Sequence, residues 1–182
     1  MKVFAIIQIL FLITYSQLSC NLASCNYNFS YTLSKTSALP NPFKGYVSYS
    51  SATSSQMASF PLSMENAYFA MKTLMTGSNS FDLSSLESMI SQTKSRGHQA
   101  IVRVYADYPG LAGGPFIPSY LTGVSLCSYT NYGGGLSPNY DDTNLITAMV
   151  ALINKLASVY DGDNRIAVFQ VGFLGHWGEH HT

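Results

Sequence analysis

The last eight residues of the sequence gather side chains that can carry out acid–base or metal chemistry. Residues 175–182 read Gly-His-Trp-Gly-Glu-His-His-Thr and include Trp177, the only tryptophan of the chain, and three of its four histidines. Glu179 comes shortly after a run of residues typical of a buried strand. Burial beside an indole ring disfavours the charged carboxylate, so we expect the pKa of Glu179 to be raised, which suits a general acid.

Two hydrolytic chemistries fit this segment. In a glycosidase, Glu179 would be one of a pair of carboxyl groups that flank the scissile bond. In a zinc hydrolase, His176-x-x-Glu179-His180 is a literal match to the inverted motif H-x-x-E-H, in which two histidines on one helical face hold the metal. Gly175 and Gly178 argue against a helix there, so we expect no metal site. Histidines that are incidental to a glycine-rich strand exit are a third interpretation.

A second group of candidate residues follows the preceding strand. Tyr105 ends a run typical of a buried strand, and Asp107 comes two residues later. Because ligands bind beyond the carboxyl ends of parallel strands, we expect both residues near Trp177 and Glu179. Asp107 as a cap of the loop that follows is an equal alternative. Arg103 lies within the strand, and a buried charge there requires a carboxylate partner.

The elements that position these residues alternate between helix and strand. Apolar spacing and turn signals predict four regular segments in this order: helix 83–96, strand 99–105, helix 143–160 and strand 165–171. Residues 45–50 predict a further short strand, and residues 65–74 suit either a helix or a buried strand. This alternation predicts an α/β protein with a parallel sheet, whose strands 99–105 and 165–171 are buried on both faces.

The first residues are typical of a secretory signal peptide. Met1 and Lys2 precede an apolar run over 3–13, which is shorter than the roughly 20 residues that span a bilayer. We assign residues 1–22 to the signal and 23–39 to an extended lead-in, although a buried N-terminal helix is an alternative. The protein is then secreted, with no membrane span.

Secretion would determine the oxidation state that we expect for the cysteines. Cys25 and Cys127 would meet an oxidising environment, where they either pair or remain unpaired thiols. Cys25 also ends a Leu-Ala-Ser-Cys sequence that resembles a lipoprotein cleavage box, which makes lipid anchoring at Cys25 a second possibility for localisation.

Composition excludes several classes of protein. Nine Lys and Arg residues balance nine Asp and Glu residues, so the chain lacks the clustered positive charge of a nucleic-acid binder or a polybasic membrane-surface protein. The hydrophobic share of 47% excludes intrinsic disorder.

Several motifs together resemble one known family. They are Asn41-Pro-Phe-Lys-Gly45, Arg103-Val-Tyr-Ala-Asp-Tyr-Pro109, Asn131-Tyr-Gly-Gly-Gly135 and the segment Gln170–Thr182. They resemble a secreted, glycosidase-like family catalogued as domain of unknown function 4874, usually followed in the same chain by domain of unknown function 4832. The resemblance covers residues 40–182 and implies strands 1–4, the N-terminal half of a (β/α)8 TIM barrel.

The resemblance also implies site roles. Glu179 matches the general acid/base at the end of the fourth barrel strand. From their places at the two strand exits, we also expect the sugar to contact Trp177, Tyr105, Asp107, His176 and His181. Two positions depart from expectation, because Gly178 replaces an asparagine of related barrels and His180 replaces a tryptophan common in the family.

The expected protein is therefore a half barrel that acts on or binds carbohydrate without a cofactor. A (β/α)8 barrel needs about 250 residues, and its second carboxylate is expected near a seventh strand outside this sequence. We therefore expect a truncated fragment that is inactive alone. A non-catalytic carbohydrate-binding or structural module is the alternative.

Overall fold

The computed structural model describes residues 46–58 and 62–181. The proposed signal peptide over 1–22, the lead-in over 23–39 and Cys25 lie outside the described residues. Within them, Cys127 is an exposed free thiol.

Strands and helices alternate along the described residues. The strands are β1 (Tyr46–Tyr49), β2 (Leu62–Ala70), β3 (Met75–Gly77), β4 (Ser80–Phe81), β5 (Gln99–Tyr105), β6 (Leu126–Tyr129), β7 (Gly135–Pro138) and β8 (Ile166–Phe169). The α-helices are α1 (Ser54–Ala58), α2 (Met71–Leu74), α3 (Ser84–Ser95) and α4 (Thr143–Tyr160). Two 3-10 turns are Asn131–Gly133 and His176–Gly178.

Four of these strands form one parallel sheet in the order β1-β2-β5-β8. The order follows the chain, with α3 between β2 and β5 and α4 between β5 and β8. The predicted α/β class and parallel sheet are therefore confirmed. Two short antiparallel pairs, β3 with β4 and β6 with β7, lie outside this sheet.

Local sequence signals predict the bounds of the two long helices closely. The predicted helix 83–96 is observed as Ser84–Ser95, and Gly97, with φ +80°, ends it. The predicted helix 143–160 has the observed bounds, because Asp142 caps it by accepting hydrogen bonds from the Asn144 and Leu145 amides at 2.8 and 3.2 Å. The ambiguous segment 65–74 is mainly strand, followed by the single turn of α2.

The core lies between one face of the sheet and the two long helices. Its fully buried members include Leu86, Ile90, Val102, Leu145 and Leu152. Apolar residues at helical spacing on α3 and α4 meet alternate residues of the strands, which is the packing that removes most apolar area from water.

The expectation that the later strands are buried on both faces is wrong. Along β5 the burial alternates, with Ile101 and Arg103 only half-buried. Strand β8 is shorter than predicted and lies at the sheet edge, where Val168 and Phe169 are 44% and 39% exposed. Among the described residues the helices cover one face only, so the second face of these strands is left partly open.

Helix α4 combines an apolar composition with a one-sided packing. It is the one described helix long and apolar enough by composition to cross a membrane, a property it shares with core helices of soluble proteins. Its buried stripe packs into the core, with Leu145, Leu152 and Leu156 among its members. The described residues therefore contain no clear membrane span.

A buried ion cluster closes the end of the sheet where β5 begins. The Glu65 side chain is fully buried and accepts hydrogen bonds from Arg96 Nε at 2.8 Å and Thr93 Oγ1 at 3.2 Å, and it lies 2.7 Å from His98 Nδ1. Burial alone would raise the pKa of Glu65, but the hydrogen bonds from Arg96 and His98 hold that pKa below its ordinary value. His98 is thus part of a buried ion cluster at this end of the sheet.

Candidate functional site

The exits of β5 and β8 lie side by side at the opposite end of the sheet. The Gln170 and Phe173 amides donate to the carbonyls of Val102 and Val104, both at 2.8 Å. Gly172 permits this approach, because a Cβ there would lie 2.3 Å from the Val104 carbonyl oxygen. The two groups of candidate residues therefore meet, as the carboxyl-end rule predicts.

Residues 175–181 form a tight turn with unusual backbone angles. Trp177 and His180 adopt φ values of 54° and 62°, in the left-handed region that non-glycine residues rarely occupy. The turn is held by the His176 amide, which donates to the His181 carbonyl at 2.8 Å, and by the Trp177 amide, which donates to the Asp107 carbonyl at 3.1 Å. A left-handed backbone at a non-glycine residue is strained, and it persists only where several surrounding contacts fix the conformation.

This turn does not place the H-x-x-E-H residues on one helical face. The segment is a single 3-10 turn with Trp177 in the left-handed region. The two histidines face different partners, since His176 Nδ1 lies 2.7 Å from Asp107 and His180 Nε2 lies 3.2 Å from the Val171 carbonyl. Within residues 46–58 and 62–181, no three His, Cys, Asp or Glu side chains group as metal ligands.

Glu179 and Arg103 form a partly exposed ion pair beside the turn. Arg103 Nη1 donates to Glu179 Oε1 at 2.6 Å, and the Glu179 side chain is 42% exposed. Arg103 also donates through Nε to Gln170 at 2.8 Å and stacks its guanidinium over the Tyr68 ring, 4.7 Å from the centroid. The carboxylate partner predicted for Arg103 is thus Glu179.

The expectation of a raised pKa at Glu179 is wrong. The hydrogen bond from Arg103 holds the pKa of Glu179 below its ordinary value, because it stabilises the charged carboxylate more than the limited burial disfavours it. His181, whose Nε2 lies 3.6 Å from Glu179 Oε2, acts in the same direction. Glu179 is therefore an ionised acceptor at neutral pH in this structure.

A second carboxylate lies buried behind the turn. Asp107 accepts a hydrogen bond from the Tyr129 hydroxyl at 2.6 Å, and its other oxygen lies 2.7 Å from His176 Nδ1. The Asp107 and His176 side chains are 1% and 3% exposed. Burial, together with the hydrogen bond to Asp107, raises the pKa of Tyr129 well above its ordinary value, so its hydroxyl remains a donor.

Aromatic rings pack against one another beside the turn that carries Glu179, in a group that we call the aromatic wall. It consists of Tyr108, Tyr132, Trp177 and His181. The Tyr132 and Trp177 ring centroids are 5.2 Å apart, those of Trp177 and His181 5.7 Å, and those of Tyr108 and Trp177 6.3 Å. Tyr132 is 62% exposed, and Tyr108 and Trp177 are half-buried. The wall therefore offers apolar ring faces next to a carboxylate and a guanidinium.

The structure brings the candidate residues together in two layers. Trp177, Glu179 and His181 face solvent at least in part, whereas Asp107 and His176 lie behind them. Tyr105 is also buried, at 8% exposure, and reaches the wall only through Tyr108, whose ring centroid is 5.0 Å away. The alternative in which Asp107 is a loop cap does not describe its side chain, which bonds Tyr129 and His176.

Three aromatic residues of this region were not among the sequence candidates. Tyr129 and Tyr132 come from the glycine-rich segment between β5 and α4, and Tyr68 pairs with Arg103 across β2 and β5. The length of that segment is a signal that it has a role, since long loops in compact domains are usually functional. Nothing local in the sequence marks which of its tyrosines face the site.

No protein-family model matches the chain, and no curated protein matches it.

Proposed function

We propose that the protein is a secreted, glycoside-hydrolase-like protein that binds carbohydrate at the aromatic wall. One observation carries the proposal: Trp177 and Tyr132 stand 5.2 Å apart beside the Arg103–Glu179 pair at the carboxyl ends of the parallel strands. Ligands of open α/β sheets and of barrels bind at this end of the strands.

The chemistry of these groups matches that of a sugar. The C–H face of a pyranose ring packs on the flat apolar face of Trp or Tyr, while its hydroxyl groups need donors and acceptors at the edge of that face. Arg103 supplies donors and the ionised Glu179 supplies acceptors, with 42% of the Glu179 side chain open to solvent. A few polar groups around an apolar face are the usual composition of a small-ligand site.

Hydrolysis with Glu179 as general acid/base is the second candidate function. The exposure of Glu179 at the exit of β8 and the resemblance to glycosidase-like barrels favour it. An acid role needs a protonated Glu179, so a ligand must first draw Arg103 away from the carboxylate, which would let the pKa return toward its ordinary value. The other nearby carboxylate, Asp107, is buried against His176 and Tyr129, so it does not supply the second carboxylate of a glycosidase.

The proposal also includes a barrel architecture for the parallel sheet. A sheet whose four parallel strands follow the order of the chain, β1-β2-β5-β8, is the arrangement of the first four strands of a (β/α)8 barrel. We propose that these four strands and their helices form this half of such a barrel. We propose secretion from the apolar run near the N-terminus. The test is to express the protein and to determine whether it is recovered outside the cell with a shortened N-terminus.

Binding is tested with a panel of soluble polysaccharides and the fluorescence of Trp177, the only tryptophan in the sequence. We expect at least one polysaccharide to change the emission, and Tyr132→Ala to weaken that response. Tyr46→Ala is the matched control, because Tyr46 lies on β1 with nearly the same exposure, 61% against 62% for Tyr132. Equal effects of the two substitutions would contradict a site at the wall.

Hydrolysis is tested separately with aryl glycosides. Release of the aryl group by the wild type and its loss in Glu179→Gln support the acid/base role. Turnover that survives Glu179→Gln unchanged would remove Glu179 from that role. Binding without any turnover would favour the non-catalytic module.

A further inference from the structure

Asp107 holds the turn of residues 175–181 through both its side chain and its backbone. Its carboxylate lies 2.7 Å from His176 Nδ1, and its carbonyl accepts from the Trp177 amide at 3.1 Å. The Tyr129 hydroxyl donates to the remaining carboxylate oxygen at 2.6 Å. One buried residue at the exit of β5 thus joins the β6 strand to the turn that follows β8.

The proton positions in this group follow from its chemistry. A carboxylate only accepts, so Asp107 needs a donor at both oxygens, and burial makes an unsatisfied oxygen costly. Tyr129 is one donor, and His176 must be the other through a protonated Nδ1. His176 Nε2 makes no hydrogen bond with the described residues, so the pairing with Asp107 fixes which nitrogen carries the proton.

The turn needs such support because of its backbone. Left-handed conformations are unfavourable for non-glycine residues, and both Trp177 and His180 adopt one. The buried ring of His176 packs against the tilted ring of Tyr129, with centroids 4.3 Å apart, which anchors the residue directly before Trp177. The anchor and the strain therefore occupy adjacent positions of the chain.

We infer that Asp107 and His176 are positioning residues, whose buried hydrogen bond holds Trp177 and Glu179 in the geometry that presents the ring and the carboxylate together. That these two groups contact a sugar rests on the proposed function above. The positioning does not, because it concerns the conformation of the turn without a ligand.

The test separates the hydrogen bond from the packing of the ring. His176→Phe keeps an aromatic ring beside Tyr129 but removes the donor to Asp107. His176→Asn keeps an N–H near the place of Nδ1 and loses the ring, and Asp107→Asn leaves the volume nearly unchanged while removing the charge.

The readout is the emission and the acrylamide quenching of Trp177 in the free protein. We expect His176→Phe and Asp107→Asn to shift the emission to longer wavelength and to increase quenching, because the indole loses its fixed place. We expect His176→Asn to remain closer to the wild type. The same order is expected for polysaccharide binding, if the proposed function holds.

The matched control is His98→Phe. His98 Nδ1 also lies 2.7 Å from a buried carboxylate, that of Glu65, but at the other end of the sheet. This variant should melt earlier and leave Trp177 emission in the folded protein unchanged. A purely structural role of His176 predicts the same result for His176→Phe.

Two results would overturn the inference. One is folded His176→Phe and Asp107→Asn proteins whose Trp177 emission and quenching equal those of the wild type. The other is a nitrogen NMR spectrum of the histidine-labelled wild type in which His176 is protonated only at Nε2. This measurement needs no variant, so it applies even if the variants fail to fold. A protein that binds no polysaccharide but shows the expected fluorescence changes would end the proposed function and leave the positioning role intact.

Discussion

The two ends of the parallel sheet use the same pair of groups in different surroundings. At the end where β5 begins, the Glu65 carboxylate lies 2.7 Å from His98, and at the opposite end Asp107 lies 2.7 Å from His176. Around Glu65 the remaining acceptor sites are taken by Arg96 and Thr93. Around Asp107 they are taken by Tyr129, while the nearby arginine, Arg103, bonds Glu179 instead.

This difference separates a structural cluster from a candidate site. In the first cluster the fully buried Glu65 carboxylate is bonded by Arg96, Thr93 and His98. At the second end one carboxylate, Asp107, is buried against His176, and the other, Glu179, is partly exposed and pairs with Arg103. The ring of Tyr132, which contacts Trp177, is exposed at this end. Identical distances thus say little about function. The exposure of the neighbouring groups distinguishes the two ends.

The largest effect is expected from breaking the first cluster. Glu65→Ala should lower the free energy of unfolding by about 3–5 kcal/mol, because it leaves Arg96 and His98 without their buried partner. Chemical denaturation measures the loss. Glu87→Ala is the control: Glu87 pairs with Arg165 at 2.5 Å but its side chain is 44% exposed, so about 0–1 kcal/mol is expected. Equal losses would show that burial of Glu65 does not govern its contribution.

The next effect concerns two glycines with similar backbone angles. Gly175→Ala should cost about 1–3 kcal/mol and change Trp177 fluorescence, since Gly175 has φ +72° and a Cβ would lie 2.4 Å from the His181 carbonyl oxygen. Gly97, with φ +80° and open space at its Cβ, ends α3 far along the chain from the turn. Gly97→Ala should therefore cost about 1–2 kcal/mol, from backbone strain alone, without altering the fluorescence. A fluorescence change in both variants would contradict a local effect.

Lowering the pH should reduce the stability of the fold through Glu65 more than through Glu179, and this effect is smaller than the two above. The pKa values of Glu65 and Glu179 are both held below their ordinary value of 4.5, so each contributes stability that is present above that value and is lost as pH falls through the lowered pKa. We expect Glu65→Gln to flatten the acid decline of stability more than Glu179→Gln does, because Glu179 is partly solvated. Denaturation midpoints from neutral pH to about pH 3 measure this. A larger change in the acid decline from Glu179→Gln than from Glu65→Gln would contradict the assignment of the Glu65 cluster as the structural one.

The smallest change in stability is expected from Arg103→Lys, about 0–1 kcal/mol, since the pair with Glu179 is partly exposed. A lysine ammonium lacks the fork that bonds Glu179 and Gln170 together, so the pKa of Glu179 should rise toward its ordinary value. NMR titration of the Glu179 carboxyl carbon measures the shift. Arg165→Lys, at the far ion pair with Glu87, should leave that titration unmoved.

The sequence by itself determined the class of the fold and the bounds of its long elements. The helix 143–160 and the strand 99–105 have the bounds that the sequence predicts, because capping by Asp142, apolar spacing and β-branched runs act between residues close in the chain. It also determined that the two strand exits with the candidate residues lie at one end of the sheet, since helix and strand alternate along the chain and the strands are parallel.

Only the tertiary structure decided how the candidate residues divide and how they are charged. Asp107 is bonded by Tyr129 and His176, which lie 22 and 69 positions away, and Glu179 by Arg103, 76 positions away. A pKa follows the charges and donors within a few ångströms and the degree of burial, neither of which local sequence fixes. For this reason the sequence predicts the wrong direction for the shift of the Glu179 pKa.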